Sequence, residues 1–347
     1  VRAQWIVRTA GHRVALRLRQ RAVMVFAGLF LLCLAVLAVS LFVGDFPIPF
    51  GHVIDALAGQ GTRAQRYFVN DVRLPRALVA LLAGAALAVS GAIFQSLSRN
   101  PLGSPDVLGF NSGAAVGALI CILVFRNASQ IIIGVGAVGG ATAVVLLTYL
   151  LAYRGGVQGF RLVLVGVGMS SLLGSAVAYL LSRADLTDSL NAQVWLVGSL
   201  NGRGWDQVVV LLVVLAVGLP AAGVLSSQLL TMELGPDVAG GLGLDSARVR
   251  RRATAVSVLL TAGAITAAGP IAFVALCAPQ IAKRVARSAG PSVAVSALVG
   301  AVLLAVADLI AQEAIPGVEL PVGVTTLVLG GLCLGWLLVG ETRRGNV

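Results

Sequence analysis

Apolar runs of about 20 residues, the length an α-helix needs to cross a hydrocarbon core, recur in this chain from Val23 to Val339. Surrounded by lipid, each run can satisfy its own backbone hydrogen bonds only as a helix, so the pattern dictates a polytopic all-α bundle. Composition decides one further point. With 58% hydrophobic and 11% charged residues, no stretch is polar and long enough for an independent soluble domain. The expected organisation is one membrane domain, 23–347, behind a basic extension, 1–22. The first run, 23–43, is too long for a signal-peptide core and lacks a small-residue cleavage site. It reads as a retained signal anchor.

Charge sets the topology. The net charge of +11 forms no stripe of the kind that holds nucleic acid; the basic residues sit between apolar runs. The runs 75–97, 107–125, 130–153, 160–182 and 207–226 are each bounded by polar, glycine or proline residues. The stretch 253–282 is long for one crossing and short for two, with Gly269-Pro270 at its middle. Arg248, Arg250, Arg251 and Arg252 precede it and Lys283, Arg284 and Arg287 follow it. The positive-inside rule puts both flanks in the cytoplasm, which requires two helices or a helix and a shorter broken one. With 292–311 and 322–339 the chain has ten expected crossings and both termini inside. Seven basic residues then fall outside: Arg63, Arg66, Arg73, Arg76, Arg126, Arg183 and Arg203.

Several function classes find no support. Cys33, Cys121, Cys277 and Cys333 all lie in apolar runs without metal-ligand spacing and read as core residues. His12 and His52 lie outside the apolar runs with no nucleophile or carboxylate pair beside them, so no catalytic or metal site is expected. The single lysine, Lys283, lacks a phosphate-binding loop, so the chain cannot hydrolyse ATP itself. Polar residues within the runs are few (Ser90, Gln95, Thr142, Ser170, Ser171, Ser175, Ser257, Thr261 and Asp308). One aspartate near a helix end is a poor basis for an ion-coupled carrier. Small-residue spacings at Gly84–Gly91 and Gly134–Ala141 predict close helix packing.

The polar island "ELGPDVAGGLGLDSARVRRR", 233–252, breaks the apolar pattern. Pro236 suits a first helical turn, Asp237 suits the positive end of its dipole, and Leu234, Val238 and Leu242 recur at four-residue spacing as one apolar edge. A short helix with an apolar edge and otherwise small residues can be gripped in a groove of another protein, or can pack back on the bundle.

Six collinear stretches resemble the FecCD permeases, the membrane subunits of bacterial ABC importers for iron-siderophores, haem and cobalamin. They are "RLPRALVALLAGAALAVSGAIFQ" (73–95), "RNPLGSPDVLGFNSGAAVGA" (99–118), "WLVGSLNGRGW" (195–205), "LGPDVAGGLGLDSARVRRRA" (234–253), "AAGPIAFVALCAPQIAKRVAR" (267–287) and "ELPVGVTTLVLGG" (319–331). The resemblance implies a type II ABC importer permease fold, with two permease subunits, identical or homologous, around a central pathway. It also implies two cytoplasmic ATPases that use ATP and Mg, no cofactor on this chain, and a place in the bacterial inner membrane.

Carried over by position, the resemblance makes 229–252 the coupling loop, with Glu233, Leu234, Gly235, Ala239, Leu242 and Gly243 seated in the ATPase cleft. Arg73 and Arg76 fall where an acidic substrate-binding protein docks; forked guanidinium donors suit carboxylates there, although membrane-interface anchoring is the alternative. Gln312 stands where relatives often carry a third docking arginine, four residues after Asp308, and keeps only an i,i+4 hydrogen bond. Asn100 and Leu102 are the inner-gate candidates. The short 193–200 segment is expected as a half-helix at the outer entrance, with Trp195 a gate or an interface anchor. Gln280 replaces a common histidine, and together with Gln312 this favours the ferric-siderophore branch over the cobalamin or haem branch. The loops expected outside are short, the longest being 44–72, so substrate capture falls to a separate protein. A channel or secondary carrier is the remaining alternative.

Overall fold

The computed structural model describes residues 4–8, 15–44, 46–125, 129–152, 159–287, 290–315 and 317–342. Arg126, Arg154, Arg343, Arg344 and His12 lie outside them. Helix α1 spans Gln20–Ser40, α2 Phe50–Leu57 and α3 Arg63–Arg66; a π-helical turn, Tyr67–Arg73, joins α3 to α4, Leu74–Ser98. A 3-10 turn at Pro105–Leu108 leads to α5, Phe110–Val124, followed by α6, Gln130–Ala152, α7, Gly159–Arg183, α8, Leu186–Val197, and α9, Trp205–Glu233. The rest is α10, Pro236–Gly241, α11, Ser246–Ala268, α12, Val274–Ala286, α13, Val293–Glu313, and α14, Val322–Thr342. An antiparallel hairpin of β1, Gln4–Arg8, and β2, Ala15–Arg19, precedes the bundle.

Six helices among the described residues are long and apolar enough to cross a membrane: Gln20–Ser40, Arg63–Ser98, Ile132–Ala152, Leu164–Arg183, Trp205–Glu233 and Val293–Glu313. Phe110–Val124 and Val322–Trp336 are shorter apolar helices. The stretch 253–282 divides in two, as expected, between the end of α11 and the short α12. The break holds Gly269 at φ +75° and Phe273 at φ +68°, with Pro270 between them. Non-helical backbone at this depth has to be covered by protein. Here α11's end is met by the 198–200 loop, where the Ser199 amide donates to the Ala268 carbonyl (3.0 Å), and the Gly323 amide at the start of α14 donates to the Gly198 carbonyl (3.1 Å).

Helix α4 is the central post. Its Ala, Gly and Val residues are buried nearly all round, against α9, α11, α12 and α13. Small residues let those backbones approach. A Cβ on Gly84 would lie 2.2 Å from the Gly300 carbonyl oxygen of α13, and one on Gly91 would lie 1.8 Å from that of Ala275 in α12. The Gly134–Ala141 stretch does the same work between α5 and α6, where Gly136 faces Gly117. Midway along α4 the Ser90 hydroxyl meets the Ser257 (2.7 Å) and Thr261 (2.6 Å) hydroxyls of α11. These polar groups are thereby satisfied against each other in an apolar interior. Helices α1 and α7 lie outside this core, with Met24, Leu31, Leu164 and Leu172 exposed.

Candidate functional site

The candidate residues gather at two opposite ends of the bundle. At one end α9 stops at Glu233, and the chain turns through Gly235 at φ +111°, a conformation that glycine adopts without a Cβ penalty. Helix α10 then begins at Pro236, as its fixed φ favours. Leu234, Val238 and Leu242 are 63%, 49% and 68% exposed; only Val238 lies within α10, Leu234 standing before the Gly235 turn and Leu242 capping the helix end, so the apolar edge expected of one helix is divided by that turn. Ala239, by contrast, is fully buried. With Leu97, Arg99, Met232, Ser246 and Arg250 it lines a small cleft beneath α10, so its small size fits the bundle rather than an outside groove. The Leu244 amide donates to the Ala239 carbonyl (2.9 Å), and Gly243, at φ +77°, carries the chain toward α11. Asp245 caps α11 by accepting from the Arg248 amide (3.0 Å); that bond first, and the Arg248 and Arg251 charges, hold its carboxyl below the usual range.

Glu233 also turns inward. Its Oε1 accepts from the Ser96 hydroxyl of α4 (2.6 Å) and from Lys283 Nζ of α12 (3.4 Å). Beside it, α4 ends at Arg99, which has φ +50°, and the 99–109 turn begins. Asn100 Oδ1 accepts from the Leu102 amide (2.9 Å), and Leu102 is 43% exposed. Gln280 of α12 donates to the Pro101 carbonyl (3.1 Å) and to Gln95 Oε1 (2.6 Å), while Gln95 donates to the Leu276 carbonyl (3.0 Å). Farther along this turn, burial pushes the Asp106 carboxyl up to about 6, opposed by a hydrogen bond from Ser104.

At the far end Arg73 is not on display. It closes the π-helical turn and points back into the α1–α2 connection, donating to the carbonyls of Leu41 (3.0 Å), Gly44 (3.3 Å) and Phe46. Its residue is 7% exposed. Arg76 grips Asp308 through Nε to Oδ2 (3.0 Å) and Nη2 to Oδ1 (3.0 Å), and reaches Glu319 at 3.5 Å. Gln312 donates to Asp308 Oδ2 (2.9 Å), the i,i+4 bond its spacing predicts. Both docking candidates are therefore committed within the subunit, and Glu319 is the exposed charge of this cluster.

Trp195 lies two residues before the end of α8, whose range Leu186–Val197 begins earlier and ends sooner than the half-helix expected over 193–200, and it is 7% exposed. It belongs to a buried cluster with Phe94, Phe110, Ile133 and Ile265 inside the subunit. One edge of it borders a polar cleft of roughly 540 Å³ that also holds Asp188, Asn191, Asn201, Arg203 and Glu319. Sequence reasoning passed over Ser96 and Glu319. Lys283 carried one signal, being the sole lysine of the chain.

The fold is that of a transporter permease subunit. It matches a solved structure described as an inward-facing ABC transporter of the metal-chelate type, with TM-score 0.82 and 25% identity, over 91% of this chain and 99% of that one. Residues 31–340 match the FecCD transport family, and the chain belongs to it. The ferric enterobactin transport system permease protein FepG of Escherichia coli is 43% identical over 301 residues, 87% of this chain and 91% of its own. The Fe(3+) dicitrate transport system permease protein FecD of E. coli is 37% identical over 86% of this chain and 93% of its own. A probable siderophore transport system permease protein of Bacillus subtilis, YfhA, is 36% identical over 94% and 96%.

Proposed function

We propose that this chain is a transmembrane permease subunit of an ATP-driven importer that moves a ferric-siderophore across the bacterial inner membrane. The observation that carries the reading is the exposed apolar group of Val238, on a short helix, with Leu234 and Leu242 at its two ends, at one end of a FecCD-family bundle. An apolar group of this kind is built to be covered, and an ATPase cleft is the cover that gives it a use. The substrate class rests on the names of the relatives: ferric enterobactin, ferric dicitrate and siderophore.

In this reading the α10 end, flanked by Arg248, Arg250, Arg251, Lys283, Arg284 and Arg287, faces the cytoplasm. A pair of ATPases binds there and uses ATP and Mg. A second permease, identical or homologous, completes the pathway, and a binding protein delivers the chelate to the far end. Nucleotide-driven closure of the ATPases displaces α10, and the 99–109 turn with Asn100 and Leu102 opens or closes the inner exit as the bundle alternates. Trp195 and the polar cleft beside α8 border the outer entrance. For docking of an acidic partner, Arg76 has to exchange Asp308 or Glu319 for the partner's carboxylate; Arg73 serves by holding the loop beside it.

Purification of the complex from its native membrane, with each subunit identified by mass, tests this composition. The expected result is this chain with a second permease and an ATPase pair; a chain that purifies without any ATPase contradicts it.

A further inference from the structure

Helix α12 is short, yet each of its last turns is tied to a different element. Gln280 holds the 99–109 turn at Pro101 and holds Gln95 of α4. Lys283 holds Glu233, the last residue of α9 before α10. Arg284 lies over the Trp336 ring of α14 (4.7 Å), and Arg21 of α1 donates to the Val285 carbonyl (3.1 Å). Gln280 and Lys283 are three residues apart, so they share one face of the helix. The residues they answer on α4 are consecutive: Gln95 bonds Gln280, and Ser96 bonds Glu233. Gln95 and Ser96 are 3% and 1% exposed, and the Lys283 and Glu233 side chains are 24% and 21% exposed. This is a partly desolvated network, where charge and hydrogen bonds hold more strongly than on an open surface.

We propose that Glu233 and Lys283 form a relay that carries movement of α10 through α12 to the gate turn. Glu233 is thus a positioning residue inside this subunit rather than a contact for the ATPase. The inference rests on the permease reading above and deepens it. When α10 moves, the end of α9 carries the Glu233 carboxylate with it. The carboxylate draws Lys283, and one helical turn away Gln280 transfers the displacement to Pro101, next to Asn100 and Leu102. The link needs opposite charges at 233 and 283, and it needs an amide at 280 able to donate to a carbonyl.

The experiment uses the whole importer, reconstituted in proteoliposomes with its ATPases, second permease and binding protein. The probe is whichever of ferric enterobactin, ferric citrate and a ferric hydroxamate the unaltered complex transports. Uptake and ATP hydrolysis are measured together for Lys283→Met, Gln280→Ala, Lys283→Glu and the exchanged pair Glu233→Lys with Lys283→Glu. Lys283→Met and Gln280→Ala should lower uptake about tenfold, the size of a coupling worth one to two kcal/mol. ATP hydrolysis and retention of the ATPases should change less than about twofold, so that iron moved per ATP falls. The exchanged pair should recover most of the uptake that Lys283→Glu loses.

ATP-driven uptake that Lys283→Met leaves unchanged overturns the relay and leaves the permease reading standing. Failure of the exchanged pair to exceed Lys283→Glu alone also overturns it, provided the ATPases still co-purify. Loss of the ATPases from the Lys283→Met complex overturns it in another way, because Lys283 would then be part of the grip itself. Uptake by the unaltered complex that needs no ATP removes the permease reading and the relay with it.

Discussion

Arg76 and Asp308, 232 positions apart in sequence, meet in a two-pronged ion pair with both contacts at 3.0 Å and side chains only 11% and 5% exposed. The pair fastens the start of α4 to the end of α13, and Gln312 occupies the remaining side of the carboxylate. Removing Asp308 leaves the nearly buried Arg76 guanidinium with only its longer, 3.5 Å contact to Glu319. Asp308→Ala should therefore cost about 3 kcal/mol of stability, with Arg76→Met plus Asp308→Leu recovering part of it. Thermal inactivation of the purified protein in lipid nanodiscs reads this directly. Arg76→Glu places an acid against Asp308 and Glu319, so it should unfold the subunit rather than merely weaken docking; a well-folded Arg76→Glu protein contradicts the buried pairing.

The exposed leucines that flank α10, Leu234 and Leu242, should matter to partners and not to the fold. Leu234→Asp with Leu242→Asp leaves the thermal midpoint of the isolated subunit nearly unchanged and removes co-purifying ATPase. Ala239→Leu should do the reverse, destabilising the subunit by about 1–3 kcal/mol through overpacking of a site with no exposed area.

Gly91 is the sharpest test of the central packing. Its missing Cβ would lie 1.8 Å from the Ala275 carbonyl oxygen, so Gly91→Val has to push α12 from α4. The expected outcome is loss of folded protein on size exclusion. Gly139, which has nothing within 4 Å of its own Cβ position, should accept alanine and serves as the control.

Asp106 gives the stability a pH dependence of determinate sign. Its pKa is raised to about 6 in the fold against about 4 for an unfolded carboxylate. Between those values the folded chain binds more protons than the unfolded one, so stability falls as pH rises from about 4 through about 6. Thermal midpoints at pH 4.5 and pH 7.5 should therefore differ less for Asp106→Asn than for the unaltered protein. Equal differences would place Asp106 in water.

The helices were legible because lipid makes the rule nearly one-dimensional: length, apolarity and the side of the arginines. Even the hard stretch, 253–282, divides in two, at the Gly269-Pro270 pair in its middle. The exposure of Val238 and Leu242 was legible for a similar reason, since four-residue spacing fixes a helix face, whereas Leu234 is exposed although the Gly235 turn separates it from α10. What a residue on that helix faces was less so: Ala239 and Glu233 sit in the same motif as Leu234 and point into the bundle. Arg73 and Arg76 read alike as an external pair. The π-helical turn that ends at Arg73 sends its guanidinium into a loop 30 residues upstream in the chain, and periodicity carries no signal for such a turn. Nor does spacing reveal that Arg76 already has two acids beside it, because Asp308 and Glu319 arrive from a helix end and a loop on the other side of the chain.

ATP drives the movement of a ferric chelate through this subunit in the proposed function. The most direct measurement is uptake of radio-iron-labelled ferric enterobactin into proteoliposomes carrying the complete complex, with and without ATP and with the ATPases present or left out. Uptake that appears only when ATP and the ATPases are both supplied is the predicted result, and uptake at the same rate without either contradicts it.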